Sequence, residues 1–288
     1  MLPNASVVVF HVRDFNKRDL PELKPNQATV FLIIESPIHT SDWRHWRPKD
    51  ARFIGIPKDY FNFDLTYRRD GDFPTPYGEF VERIEVNRTD VKEQIDRIVG
   101  KKKNMAMALV SHCKTHANRE AVIRKLGEFI PVTTLGYCYK KDCNQSCEEE
   151  AIESHFFTLA FENSICDQYV TEKFFRISKG IVPIVLSRKA VGSIAPPNSF
   201  IALDDFGSTA ELAKHLFSIR ADPEKYASYF DWMYTYEARS YSILNDMMGS
   251  GFCQVCEWAH KRHKKPRENV LKWWFDADCH KVQDVYVH

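Results

Sequence analysis

From residue 105 onward, short β-branched apolar runs alternate with stretches of helical period, and that alternation leaves few folds open. Met105–Val110, Phe156–Phe161, Val182–Leu186 and Phe200–Leu203 read as strands. Ala117–Phe129 is amphipathic, with Val122, Leu126 and Phe129 on one face. Tyr169–Ser178 reads as a further helix, and Ser208-Thr209-Ala210-Glu211 has capping-box spacing ahead of Leu212, Leu216 and Phe217. Such alternation predicts an α/β fold: a parallel sheet with helices on both faces and ligands at the carboxyl ends of strands. The first hundred residues hold two more buried strands, Ser6–Phe10 and Thr29–Ile34. The stretch from Trp43 to Tyr77, aromatic and charged, reads as long loops. The charged break Gly100-Lys101-Lys102-Lys103 places a boundary there. The predicted division is 1–103, 104–240 and a tail over 241–288, helical and then basic, that packs back on the first domain.

Charge excludes one large class. The chain of 288 residues has 40 Lys and Arg against 39 Asp and Glu, a net charge of +1, without the basic excess of a nucleic-acid binder. Its apolar runs, Val30–Ile34 among them, fall far short of the ~20 residues of a membrane helix. Met1-Leu2-Pro3-Asn4 leads straight into a strand, so no secretory leader is expected. Eight cysteines and three sequons, at Asn4, Asn87 and Asn144, point toward a secretory lumen. Cys253 and Cys256 form a CxxC, and His260 and His263 come shortly after. His260 comes too soon after Cys256 for a zinc finger, so no metal site is assigned. Asp204-Asp205 reads as a strand-end acidic pair and the run Lys261–Arg267 as solvated surface.

The chemistry concentrates where the strand ending at Phe161 gives way to a loop. Asn163 and Ser164 occupy that crossover, and Tyr169, Glu172 and Lys173 have the i, i+3, i+4 spacing of one helical face. A ring, a carboxylate and an ammonium together suit a nucleotide. The whole segment, Phe161-Glu162-Asn163-Ser164, then Tyr169-Val170-Thr171-Glu172-Lys173, then Val182-Pro183-Ile184-Val185-Leu186, resembles the donor signature of the α-1,3-fucosyltransferases, glycosyltransferase family 10. Further blocks keep the family's order: Val9-Phe10-His11-Val12-Arg13-Asp14, Glu35-Ser36-Pro37-Ile38-His39-Thr40, Asp64-Leu65-Thr66-Tyr67-Arg68-Arg69-Asp70, Pro76-Tyr77-Gly78, Ser199–Phe206, Tyr229–Trp232 and Phe252–Cys256.

The resemblance implies a GT-B fold, two facing Rossmann-like domains with the first incomplete, and GDP-fucose as donor. It implies inverting transfer to a GlcNAc-containing glycan in α-1,3 linkage, within protein glycosylation. Ser111 and Arg119 match the family's diphosphate-binding pair, and helix N-terminal amides and a forked guanidinium both favour phosphate oxygens. Asn163, Ser164, Tyr169, Glu172 and Lys173 complete the implied donor site. Glu35 comes after a five-residue apolar strand, matches the family's catalytic Glu and is the expected general base, with Glu85 and Glu162 next in line. No cofactor is implied, a divalent cation being at most stimulatory.

The family's usual location is the Golgi lumen, as type II membrane proteins. Here membrane association is expected only through an anchor segment that this chain does not match. His112 stands where the family usually has Asn, the Leu186–Ser199 loop lacks a Tyr-Glu pair common among relatives, and the helix after Lys173 is one residue short. The family's terminal CxxC pairs with cysteines of an opening segment not matched here, which leaves Cys253 and Cys256 to pair otherwise or remain thiols. Cys138 with Cys143 or Cys147 is the most local pairing. The alternative to an active transferase is a family fragment that binds nucleotide or glycan without turnover.

Overall fold

The computed structural model describes residues 4–40, 53–242 and 248–287. It divides into two compact units: Met1–Tyr77, Cys166–Tyr169 and Tyr241–Cys279 form unit 1, and Gly78–Ile165, Val170–Ser240 and His280–His288 form unit 2. The division falls at Tyr77–Gly78 rather than at the charged break near residue 103, and the segment expected as a tail is shared between both units. Among the described residues no helix is long and apolar enough to cross a membrane.

In unit 1 four parallel strands, β1 (Val7–His11), β2 (Ala28–Ile33), β3 (Phe63–Thr66) and β4 (Phe73–Pro74), lie in the order β1-β2-β3-β4. The last two fall inside the stretch expected as loops, whose residues 43–52 lie outside the described ones. Every residue of β2 is buried, and its period of two explains how. Ala28, Val30 and Leu32 pack with Phe63, Leu65 and Phe73 beneath Val255 and Trp258 of the helix Met248–Lys261. Phe31 faces the other way, 5.4 Å from Phe61 and 5.7 Å from Trp274 of the helix Val270–Phe275. Both faces are therefore covered, as parallel strands require. Each buried Phe contributes about 1.5–3 kcal/mol.

The basic run is not simply solvated. Arg262 lies 4.4 Å over the Trp258 ring, Lys264 bonds the Asp72 carbonyl, and Arg267 reaches the carboxylates of Asp72 (3.4 Å) and Asp64 (3.6 Å). Asp64 and Asp72 exchange backbone-to-carboxylate hydrogen bonds of 3.2 and 3.0 Å. Burial first, and then Asp72, push the Asp64 carboxyl up to about 8 despite Arg267.

Unit 2 carries five parallel strands, β6 (Asn104–Leu109), β7 (Val132–Leu135), β8 (His155–Leu159), β10 (Val182–Val185) and β11 (Ile201–Ala202), in the order β11-β10-β8-β6-β7. Outside this sheet, β5 (Gly78–Glu82) pairs antiparallel with β12 (Tyr236–Ser240), and β9 (Ile165–Cys166) is a two-residue strand. The β5–β12 pairing places residues 78–103 in unit 2. Gly78 is obligatory there, since a Cβ would lie 2.5 Å from the Phe175 ring. The helices are α1 (Arg88–Lys101), α2 (Arg119–Leu126), α3 (Gln145–Ser154), α4 (Glu172–Phe175), α5 (Arg188–Val191), α6 (Thr209–Arg220) and α7 (Pro223–Ala227). Ser208 caps α6 by accepting from the Glu211 amide at 3.2 Å, and the Glu211 carboxylate accepts from the Gly207 amide at 2.9 Å. The expected capping box is thus present, with its return bond one residue upstream.

Cys138 pairs with Cys113, and Cys143 with Cys147, which corrects the local pairing expected for Cys138. The cause is the turn after β7. Gly136, at φ +94°, brings the chain back so that the Cys138 amide donates to the Val110 carbonyl at 3.1 Å beside Cys113. A Cβ at Gly136 would lie 2.7 Å from that carbonyl. Cys166 pairs with Cys279 across a sequence separation of 113, worth about 4–5 kcal/mol by chain entropy. Cys253 and Cys256 are exposed thiols. Of the sequon asparagines, Asn4 is exposed, while the exposed Asn87 and Asn144 cap α1 and α3 through their side-chain oxygens.

Candidate active site

In chain order the strands of the unit 2 sheet lie 2-1-3-4-5, so the order reverses between β6 and β8. Open α/β sheets bind ligands at such a reversal, beyond the carboxyl ends of the strands. The loops leaving β6 and β8 are stitched together here. The Ala117 amide donates to the Asn163 carbonyl at 3.0 Å. Arg119, the first residue of α2 and only 2% exposed, donates to the Phe161 carbonyl (2.7 Å) and the His112 carbonyl (3.1 Å). At position 112 the backbone, whatever the side chain, serves Arg119.

Glu162 organises the start of α4. Its Oε1 accepts from the Thr171 amide (2.9 Å) and hydroxyl (2.7 Å), and its Oε2 lies 3.2 Å from Lys173 Nζ. Lys173 Nζ also donates to Thr171 Oγ1 (2.8 Å) and Glu172 Oε1 (2.9 Å). Burial opposes the Lys173 charge, but Glu162 and Glu172 outweigh it and hold the ammonium above its usual range, with Arg119 near enough to pull the other way. Burial likewise works against the Glu172 carboxylate, and Lys173 and then Arg176 outweigh it, leaving it below the usual range. Both side chains are ionised at neutral pH.

The shared helical face expected for Tyr169, Glu172 and Lys173 is not formed. Thr171 is the N-cap, accepting from the Lys173 amide, and α4 begins only at Glu172. Thr171 is held in its extended conformation by Glu162, so the helix cannot start earlier. Tyr169 lies in the segment that belongs to unit 1, while Glu172 and Lys173 belong to unit 2. Ser164 is buried and donates to Asn163 Oδ1 at 3.3 Å, so it supports Asn163; Ser111 is exposed in the loop after β6. Asp204 and Asp205 bind Arg188, Asp204 through its amide (2.8 Å) and Asp205 through its guanidinium, in keeping with a strand-end acidic pair.

In unit 1 Glu35 stands two residues past the end of β2, at the carboxyl edge of that sheet. Its side chain is 29% exposed and its Oε1 lies 3.9 Å from Arg13. Its Oε2 accepts from the Tyr169 hydroxyl at 2.9 Å. Tyr169 packs its ring 5.0 Å from that of Tyr67, and Tyr67 packs 5.7 Å from Trp274, whose indole donates to Thr40 at 2.8 Å. Glu85, a second choice for the base, is exposed in the loop after β5.

Residues 99–274 match the family described as glycosyltransferase family 10 (fucosyltransferase), C-terminal part, and residues 1–78 match the fucosyltransferase N-terminal family. The chain belongs to glycosyltransferase family 10. It is similar to alpha-(1,3)-fucosyltransferase fut-1 of Caenorhabditis elegans, with 34% identity over 88% of this chain and 57% of that one. It is 32% identical to alpha-(1,3)-fucosyltransferase C of Drosophila melanogaster, over 94% of this chain and 65% of the relative. Against alpha-(1,3)-fucosyltransferase 7 of Bos taurus the identity is 32%, over 96% of this chain and 76% of the relative. The chain thus spans little more than half of the first of these relatives and just under two thirds of the second.

Among solved structures it shares the fold of an alpha1,3-fucosyltransferase with GDP-fucose, at a TM-score of 0.54 and 17% identity over 89% of this chain and 79% of that one. The same enzyme type with GDP gives 0.53 and 16%, over 93% and 82%. The α/β fold of GT-B type expected from the sequence is therefore present. Within this family 10 chain, Thr171 is the site residue that motif reading passed over. Its signal was available: a Thr immediately before Glu-Lys is N-cap chemistry.

Proposed function

We propose that the protein is an inverting α-1,3-fucosyltransferase that moves fucose from GDP-fucose to a hydroxyl of a GlcNAc-containing glycan, in protein glycosylation. The observation that carries this reading is the pair of cations, Arg119 and Lys173, held near one another at the β6–β8 reversal of unit 2. Two cations there suit a nucleoside diphosphate. Asn163, Ser164, Glu172 and Ser111 complete the donor site in this reading, Glu172 by holding Lys173 and Ser164 by holding Asn163. Glu35 takes the proton of the acceptor hydroxyl as the oxygen attacks the anomeric carbon. The bond from that carbon to GDP breaks, its electron pair leaves on the β-phosphate, and the configuration inverts. The transition state resembles an oxocarbenium ion, as in inverting glycosidases. Arg119 and Lys173 offset the charge that grows on the leaving diphosphate.

With two cations in place the reaction needs no metal. Transfer from GDP-fucose to a GlcNAc-terminated acceptor should persist in EDTA; complete loss, restored by manganese, would overturn this point. Three disulfides suit an oxidising lumen, in keeping with the Golgi. The test of the whole reading is turnover of GDP-fucose with such an acceptor. Tight GDP binding with no transfer would instead make the chain a family member that keeps only the nucleotide site.

A further inference from the structure

The four residues Cys166–Tyr169 come from the middle of the donor signature, yet they are fastened throughout to unit 1. Cys166 is disulfide-bonded to Cys279. The Asp167 amide donates to the Asp278 carbonyl at 3.1 Å. Gln168 accepts from the Arg69 amide at 2.8 Å and donates to Asp70 at 3.4 Å. Its φ of +61° is a conformation that side-chain-bearing residues seldom adopt, and it turns the chain just before Tyr169. Tyr169 is 3% exposed, its ring against Tyr67 and its hydroxyl on Glu35.

We propose that Tyr169 is a positioning residue for the general base, its phenol fixing the Glu35 carboxylate, with the Cys166–Cys279 disulfide as the clip that fixes the phenol. This rests on the reading of Glu35 as the base. It departs from the nucleotide-binding role that family resemblance implies for Tyr169. A glutamate just past a strand, on an irregular segment, has several rotamers to choose from, and only some aim an oxygen at an incoming hydroxyl. Proton transfer needs that oxygen within about 2.6–3.2 Å of the acceptor. One donor on Oε2, itself immobilised at four consecutive residues, selects the rotamer and leaves Oε1 on the other side of the carboxylate, toward Arg13.

Tyr169→Phe keeps the buried ring and removes only the donor. The expected result is a fall in kcat of about ten- to hundredfold, as for loss of a hydrogen bond to a charged group, with GDP affinity by calorimetry unchanged. KM for GDP-fucose should stay at its wild-type value, so the loss falls on kcat alone. Cys279→Ser should lower kcat in the same direction, to a smaller degree. In a Glu35→Gln background Tyr169→Phe should cause no further loss, because the two act as one unit. Weakened GDP binding in Tyr169→Phe with kcat unchanged would overturn the proposal and return Tyr169 to the nucleotide. A Glu35→Gln enzyme with wild-type kcat would overturn the base reading instead. An inactive Glu35→Gln beside a fully active Tyr169→Phe would overturn this proposal alone.

Discussion

Glu35 and Glu162 are the same residue type in the same topological place, just past a parallel strand, yet they are surrounded differently. Glu162 is 9% exposed and accepts two hydrogen bonds from Thr171 while pairing with Lys173. One of its oxygens thus holds the cap of α4 and the other faces the cation. Glu35 is about a third exposed, with one phenol on one oxygen and Arg13 at a looser 3.9 Å from the other. The first carboxylate is an anchor that decides where a cation stands. The second has its Oε2 on the Tyr169 phenol of its own unit and no cation closer than Arg13 among the contacts described. Sequence reading ranked both as candidate bases, and their surroundings differ.

Replacing the two ends of this contrast should give different kinetic signatures. Glu35→Gln keeps shape and loses basicity, so kcat should fall by about 10²–10⁴-fold while GDP affinity holds. A variant that retains more than about a tenth of wild-type kcat would erase the distinction between the two carboxylates and move the base elsewhere. Lys173→Ala should show the reverse pattern. Nucleotide binding should weaken by roughly 1.5–3 kcal/mol, the range for a charged hydrogen bond, and calorimetry with GDP reads it directly. Unchanged affinity would detach Lys173 from the donor site and leave Glu162 anchoring nothing that matters to the reaction.

The same contrast shows what was legible in the sequence. The unit 2 sheet was readable because its strands and helices alternate locally: Val182–Val185 shows in its own apolar run, and the capping of α6 by Ser208 needs no distant partner to form. Arg119, Glu172 and Lys173 were likewise named by motif. Unit 1 was readable only in β1 and β2. Strand β3 hides its apolar period behind buried Asp64, and β4 is a Phe-Pro dipeptide. Both are strands because residues some two hundred positions later, Val255 and Trp258, cover them. Tyr169 was misplaced for a related reason. Helical spacing to Glu172 and Lys173 is real in the sequence, but Gln168, Thr171 and a disulfide to Cys279 break the helix before it begins. No local pattern carries a bond to a residue 113 positions away.

The last expected effect concerns a third carboxylate, and it tests whether an unlike environment also shows in stability. Asp64 is fully buried in β3 against Asp72, with Arg267 of the basic run beside it. Its carboxyl is raised to about 8, from an unfolded value near ~3.9. The folded chain therefore binds this proton more tightly than the unfolded chain does. Stability from this group is complete at acid pH, below the unfolded value. It is lost progressively as pH rises and is gone once the pH has passed about 8. Asp64→Asn imitates the protonated acid, keeping an acceptor for the Asp72 amide and adding a donor toward the Asp72 carboxylate. The wild-type melting temperature should fall between pH 6 and pH 9, by about 2–4 °C for each kcal/mol lost. The Asn variant should show a flatter profile over the same interval. Parallel profiles would mean that Arg267 already compensates the ionised pair. Asp64 would then join Glu162 as a carboxylate fixed by its cation, and the basic run would be an electrostatic brace for β3 rather than a surface segment that happens to lie over it.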